Sequence, residues 1–191
     1  MAVPLSFACD CGQIRGALSP EARKAGTRVV CFCADCRANE LYHNQPDPAP
    51  GPVDLFQVNP DGVTFHQGQD LLRVMRLSPK GLLRWYAGCC GTPMANTLAK
   101  PTLPFAGMRS DRFADPSALG KVRARAFVPK AGKQPRTEGA ARMVISLLSR
   151  MISARLSGRW KETPFFDIDS GAPISEPEVI SKEARAELLR R

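Results

Sequence analysis

Cys9 and Cys11, then Cys31, Cys33 and Cys36, then Cys89 and Cys90 are the residues of this chain best suited to chemistry, and they account for all 7 of its cysteines. They read C-x-C-G, C-x-C-x-x-C and C-C-G. Thiols one or two positions apart can turn toward one ion, and a neighbouring glycine lets the backbone bend tightly enough to allow it. A disulfide framework fits less well. An odd number leaves one thiol over, and bridges between residues i and i+2 are strained and tie nothing distant together. The start Met-Ala-Val-Pro-Leu has no basic stretch followed by an apolar one, so the expectation is a cytoplasmic protein, where clustered cysteines bind metal or catalyse.

The elements that must position these thiols are short. Leu5 to Leu18 reads as a hairpin carrying the first cluster, bending at Gly12 and Gly16. Thr27 to Cys33 is rich in β-branched residues and reads as a strand that delivers the second. Val63 to Phe65, Leu71 to Leu77 and Leu82 to Tyr86 read as further strands, the last running into the third cluster. The five prolines between Gln45 and Pro60 predict a loop. Strands ending in cysteine-bearing turns describe a mainly β domain clamped by zinc, its thin core leaving much of the folding free energy to the metal. Three cysteines can also hold an iron–sulfur cluster, but with no fourth nearby except a displaced Cys89, zinc is preferred. His43 and His66 stand singly, without ligand spacing, and read as surface or outer-sphere residues.

After Pro129 the character changes. Lys130 to Arg136 reads as a basic linker, and 138–157 has helical periodicity with Ala140, Met143, Val144, Leu147, Leu148, Met151 and Ile152 on one face. Arg142, Ser146, Ser149, Arg150 and Ser153 fall on the other. Such a stripe can pack on its own domain, on a second copy in a homodimer, on a partner or on a membrane. A last short helix is expected over 178–190. The 191 residues carry a formal charge of +9, and 121–161 alone hold eleven Lys or Arg against Glu138. A basic segment of that kind suits an anionic partner, or serves only as a solvated face. Aromatic residues are too scarce after Phe127 for a base-stacking platform, which argues against nucleic acid. No apolar run reaches the roughly 18 residues of a transmembrane segment.

The ordered motifs Cys9-Asp10-Cys11-Gly12, Cys31-Phe32-Cys33-Ala34-Asp35-Cys36 and Cys90-Gly91-Thr92-Pro93 resemble the glutathione-dependent formaldehyde-activating enzyme family over about residues 5–110. The resemblance implies a small zinc-binding β-tent domain, here 1–128, with 129–191 as a basic, partly helical C-terminal extension. It implies that the first and third clusters close a structural four-thiolate zinc, while Cys31, Cys33 and Cys36 make a second, open zinc site that carries catalysis. Two departures stand out. Ala87 occupies the position of a family cysteine, so Cys89 becomes the shifted fourth ligand beside Cys9, Cys11 and Cys90; failing that, the site has three cysteines and another donor, and Cys89 is a spare thiol. Phe32 replaces a histidine common in the family and is expected to pack in the core.

By resemblance the expected activity is that of a carbon–sulfur lyase or synthase, acting on the aldehyde adduct of a small thiol such as glutathione. Arg37, Arg73 and Arg76 are candidate anchors for an anionic thiol. The alternatives are a non-catalytic zinc scaffold whose basic C-terminal segment meets an anionic partner or membrane surface, and a zinc-thiolate sensor.

Overall fold

A computed structural model describes residues 3–190 and shows a mainly β protein of two sheets with few helices. In chain order the strands are β1 (Leu5–Ala8), β2 (Arg15–Leu18), β3 (Thr27–Cys31), β4 (Val53–Val58), β5 (Val63–Gln67), β6 (Leu72–Arg76), β7 (Leu83–Ala87), β8 (Pro93–Thr97), β9 (Ala106–Arg109), β10 (Ala124–Lys130), β11 (Lys133–Glu138) and β12 (Glu178–Val179). The helices are α1 (Pro20–Ala25), α2 (Ala34–Tyr42), α3 (Ala140–Leu156) and α4 (Lys182–Arg190). The small sheet runs β1-β2-β5 and the large one β11-β10-β3-β4-β9-β8-β7-β6-β12. Pairing is antiparallel except for β10 on β3 and β12 on β6.

The hairpin expected over 5–18 is present, with Leu5 opposite Leu18 and Phe7 opposite Gly16. Gly16 is required by close approach: a Cβ there would collide with the Thr64 carbonyl and the Phe7 ring. The alternating inner residues Leu5, Phe7, Ile14 and Leu18 join Phe56, Leu72, Trp85, Met94 and Met108 of the large sheet in the main core. Trp85 is buried with its Nε1 donating to Thr97 Oγ1 at 2.9 Å, so its polar edge is satisfied. Phe165, fully buried, lies tilted against Trp85 at 5.2 Å and edge-on to Phe65 at 5.9 Å. Truncating such a ring costs about 3–5 kcal/mol, so the segment after α3 is part of the core rather than an appendage.

Several expectations are corrected. The proline-rich stretch is a loop only to residue 52; its second half is β4, which lies between β3 and β9 inside the large sheet. Lys130 to Arg136 is not a linker but the turn and arm of the β10–β11 hairpin, with Pro135 tolerated because β11 is an edge strand. The division between 1–128 and 129–191 therefore falls within β10, whose Ala124, Arg125 and Ala126 pair with Val29, Val30 and Cys31. Phe32 is half-buried under the Arg125 guanidinium, 5.4 Å from the ring centroid, instead of lying in the core.

Helix α3 forms where expected but turned. Its inward edge is Met143, Ser146, Leu147, Arg150 and Ala154, while Val144, Leu148 and Ile152 face out. Polar contacts fix this rotation. Ser146 Oγ lies 2.8 Å from Thr27 Oγ1, Arg150 donates to Thr27 Oγ1 at 2.9 Å and to the Ala25 carbonyl at 3.1 Å, and Asn59 donates to the Arg150 carbonyl at 2.9 Å. Helix α4 docks on α2, where Arg185 meets Asp35 at 2.5 Å. Among the described residues no helix is long and apolar enough to cross a membrane.

Candidate metal centres

The fold gathers the seven thiols into two groups, Cys9, Cys11, Cys89 and Cys90 in one and Cys31, Cys33 and Cys36 in the other, with the sulfurs of each group within 4.8 Å of one another.

The first group sits where the β1–β2 turn faces the turn after β7. Strand β7 ends at Ala87, whose carbonyl accepts from the Cys90 amide at 3.3 Å and the Gly91 amide at 2.7 Å. Gly91 takes φ +74°, which a side chain would strain. Because that turn replaces extended backbone, the adjacent Cys89 and Cys90 need not point to opposite sides. Cys89 Sγ lies 3.3 Å from Cys11 Sγ and 3.9 Å from those of Cys9 and Cys90, and Cys9 and Cys11 are 3.5 Å apart. A four-thiolate tetrahedron with bonds of about 2.3 Å has sulfur edges of about 3.8 Å, whereas a disulfide needs about 2.05 Å. The donor set thus fits a metal ion, and Cys89 stands in the fourth corner.

Polar neighbours orient these thiols. The Ile14 amide donates to Cys9 Sγ at 3.3 Å, and Thr92 Oγ1 lies 3.1 Å from Cys90 Sγ. Burial pushes the Cys90 thiol up, but its contacts with Thr92 and with the Cys11 amide outweigh it and bring the group down to about 6. Burial and the neighbouring thiols Cys11, Cys90 and Cys9 push Cys89 up instead.

The second group is local. Cys31 ends β3, Cys33 is the N-cap of α2, and Cys36 lies in its first turn. Cys33 Sγ accepts from the Cys36 amide at 3.3 Å, as a serine or aspartate oxygen does at other helix starts. Contacts from Cys31 and Cys36, that amide and the charge of Arg84 hold the Cys33 thiol far below the usual range, while the same contacts raise Cys31 and Cys36. A helix N-terminus adds to the preference for a thiolate. Three sulfurs leave a tetrahedral ion one open position. A cavity of about 220 Å³ opens in front of Cys31 and Cys33, walled by Pro48 to Gly51 and Pro129, with Arg37 at its rim.

Arg84, on β7, is the residue that sequence reading missed. It is buried at 4 % exposure behind the triplet with Asn96 Oδ1 at 3.4 Å. No motif marks it; a lone Arg in an apolar strand is the only signal. The proposed anchors behave otherwise. Arg37 is held by Asp47 at 2.6 Å, and Arg73 and Arg76 spend donors on the Asp70, Leu72 and Pro79 carbonyls. His66 is exposed, but His43 is buried between Tyr42 and Tyr86, with burial and the Arg84 charge pushing it down to about 4.

A chain of charged contacts joins the two centres. Cys36 shares α2 with buried Glu40, which pairs with Arg109; Arg109 pairs with Asp111 at 2.8 Å, Asp111 with Arg112 at 2.8 Å, and Arg112 with Asp10. Asp10 then accepts from Thr92 at 2.8 Å, beside Cys90.

The family model that matches this chain covers residues 1–178 and is described as a family of unknown function, DUF6151. No protein with a curated description matches. Among solved structures, a crystal structure of a Rhodobacter sphaeroides protein from a structural genomics effort is similar at 14 % identity and a TM-score of 0.42, covering 61 % of this chain and 96 % of that one.

Proposed function

Since the chain belongs to the family of unknown function DUF6151, we propose from its own geometry that it is a two-site zinc protein whose Cys31, Cys33 and Cys36 centre makes or cleaves the aldehyde adduct of a small thiol. One observation carries this reading: the cysteines divide into a closed set of four and a set of three, of which Cys31 and Cys33 line a cavity. A saturated set suits structure, and an incomplete one suits a ligand. Zinc bound by the three thiolates supplies a Lewis acid that favours the thiolate form of a fourth sulfur.

The remaining work falls to the chain. Cys33, capping α2, keeps the triplet in a fixed orientation, and Arg84 offsets its negative charge from behind. The Pro48 to Gly51 segment forms one wall of the cavity, whose size suits the thiol-bearing arm of a molecule such as glutathione. In the adduct the thiol sulfur bonds to the aldehyde carbon and the thiol proton ends on the former carbonyl oxygen; the reverse reaction restores both. With Arg37 engaged by Asp47, the substrate's carboxylates find no free arginine at the rim, which favours small neutral aldehydes and weak thiol binding. Seven reduced thiols fit a reducing compartment such as the cytoplasm.

The experiment is metal analysis of protein purified without chelators, alongside Cys33→Ser, followed by assay of thiol–aldehyde adduct formation. Two zinc ions per chain falling to one, with turnover abolished and the fold kept, is the expected result. One zinc in both proteins, or turnover that survives the substitution, overturns the reading.

A further inference from the structure

Helix α3 carries apolar residues on its outward face as well as beside the polar contacts of its inward one. Ser146 and Arg150 face inward, tied to Thr27, Ala25 and Asn59, whereas Val144, Ile145, Leu148, Ile152 and Leu156 face outward at 44 to 85 % exposure. The spacing of the last four, at 145, 148, 152 and 156, makes one continuous stripe along the 17-residue helix. Isolated apolar residues on a surface need no explanation, but a ridge of five on one helix marks an interaction site.

The surroundings of the stripe select the partner. Exposed Arg142 and Arg155 flank it on the helix, and Arg159 and Lys161 follow. Trp160 lies between Arg155 and Lys161, 5.3 Å and 5.8 Å from their cationic groups, and Arg155 also reaches the Thr102 carbonyl beside exposed Leu103. Of the acids nearby, Glu138 is engaged by Arg125 and Arg136 and Asp61 by Arg159, so that exposed Glu162 alone sets a negative charge beside Lys161 against the cations of this stretch. Pairing two copies through α3 would bring these like charges together. A nucleic acid would use the cations and gain little from the aliphatic ridge. An apolar face rimmed by Arg, Lys and Trp is the composition of a helix that lies in the interface plane of a bilayer with anionic lipids. We infer that the outward face of α3 docks this protein, peripherally, on an anionic membrane surface. This inference stands on α3 and the basic residues that follow it, and does not depend on the chemistry of the thiol centres.

The test is co-sedimentation of the full chain with vesicles of phosphatidylcholine containing about one-third phosphatidylserine, and with phosphatidylcholine alone, at low and at physiological salt. Two variants accompany it, Ile145→Ser/Leu148→Ser/Ile152→Ser and Arg142→Glu/Lys161→Glu, with thermal unfolding as the check on folding. The expected result is binding to the anionic vesicles that weakens with salt, and that falls at least about tenfold in either variant and on neutral vesicles. If the serine variant unfolds early, the charge-reversed one decides, since neither of its residues holds the helix in place. Wild-type protein that stays in the supernatant, or that binds neutral vesicles equally well, overturns the inference. So does a concentration-dependent dimer abolished by the serine substitutions without vesicle binding, which would assign the face to a second copy.

Discussion

Asp10 and Thr92 hold each other twice: the Asp10 amide donates to Thr92 Oγ1 at 3.1 Å, and the Thr92 hydroxyl donates to Asp10 Oδ2 at 2.8 Å. The pair locks the turn carrying Cys9 and Cys11 to the turn carrying Cys89 and Cys90. Thr92→Val keeps the shape and removes the hydroxyl from a fully buried position. We expect a loss of about 1–3 kcal/mol in urea unfolding and roughly 10- to 100-fold weaker retention of the first-group metal against a chelator. Unchanged retention would show that the sulfurs need no such support.

Cys33 has two tasks that substitution can separate. Serine keeps the N-cap and removes the sulfur, while alanine removes both. Cys33→Ser should therefore lose the metal of the triplet with α2 intact, and Cys33→Ala should be less stable than Cys33→Ser by about 1 kcal/mol in chemical denaturation. Equal stability of the two would mean that the thiol is no cap.

His43 makes stability depend on pH. Burial first, then the charge of Arg84, lowers it from 6.5 to about 4, so between those values the unfolded chain binds the proton and the folded one does not. The sign follows: the contribution is complete above about pH 6.5 and is lost as pH falls toward 4, amounting to about 3 kcal/mol over the whole range. His43→Phe should flatten the fall in stability between pH 6.5 and 5.5 relative to the wild type, read as the difference between their urea midpoints. Parallel curves would place the proton elsewhere.

Asp111 sits between Arg109 and Arg112, which press it below the usual carboxylate range against the effect of its own burial. Asp111→Asn leaves two part-buried guanidinium groups facing an amide. A cost of about 1–3 kcal/mol in thermal or urea unfolding is expected, the half-exposed carboxylate and screening keeping it below the figure for a fully buried pair.

The sequence was legible where a short pattern determines a local shape. Thr27 to Cys33 is rich in β-branched residues and forms β3 as far as Cys31, and the resemblance carried by the cysteine motifs implied the grouping of thiols that the structure shows, the displaced Cys89 included. It was opaque where tertiary contact overrides a local signal. Three of the prolines crowd into 48–52 and masked the strand that starts at Val53, and Pro129, Gly132 and Pro135 looked like breaks although they shape a hairpin at the sheet edge. Helix α2 hid because cysteine is an uncommon cap. The periodicity of α3 located the helix but not its rotation, which Arg150 decides by reaching Thr27 and Ala25, residues more than a hundred positions away.

The two thiol groups also differ in how much chain each one needs. Cys31 to Cys36 is a continuous stretch, complete within a few residues of chain, whereas Cys9 must wait for a partner 80 positions later. Closing the longer loop carries the greater entropic cost, so the triplet is the first of the two that a growing chain can offer to an ion. Order of synthesis thereby completes the group of three before the group of four exists to tie its two turns together.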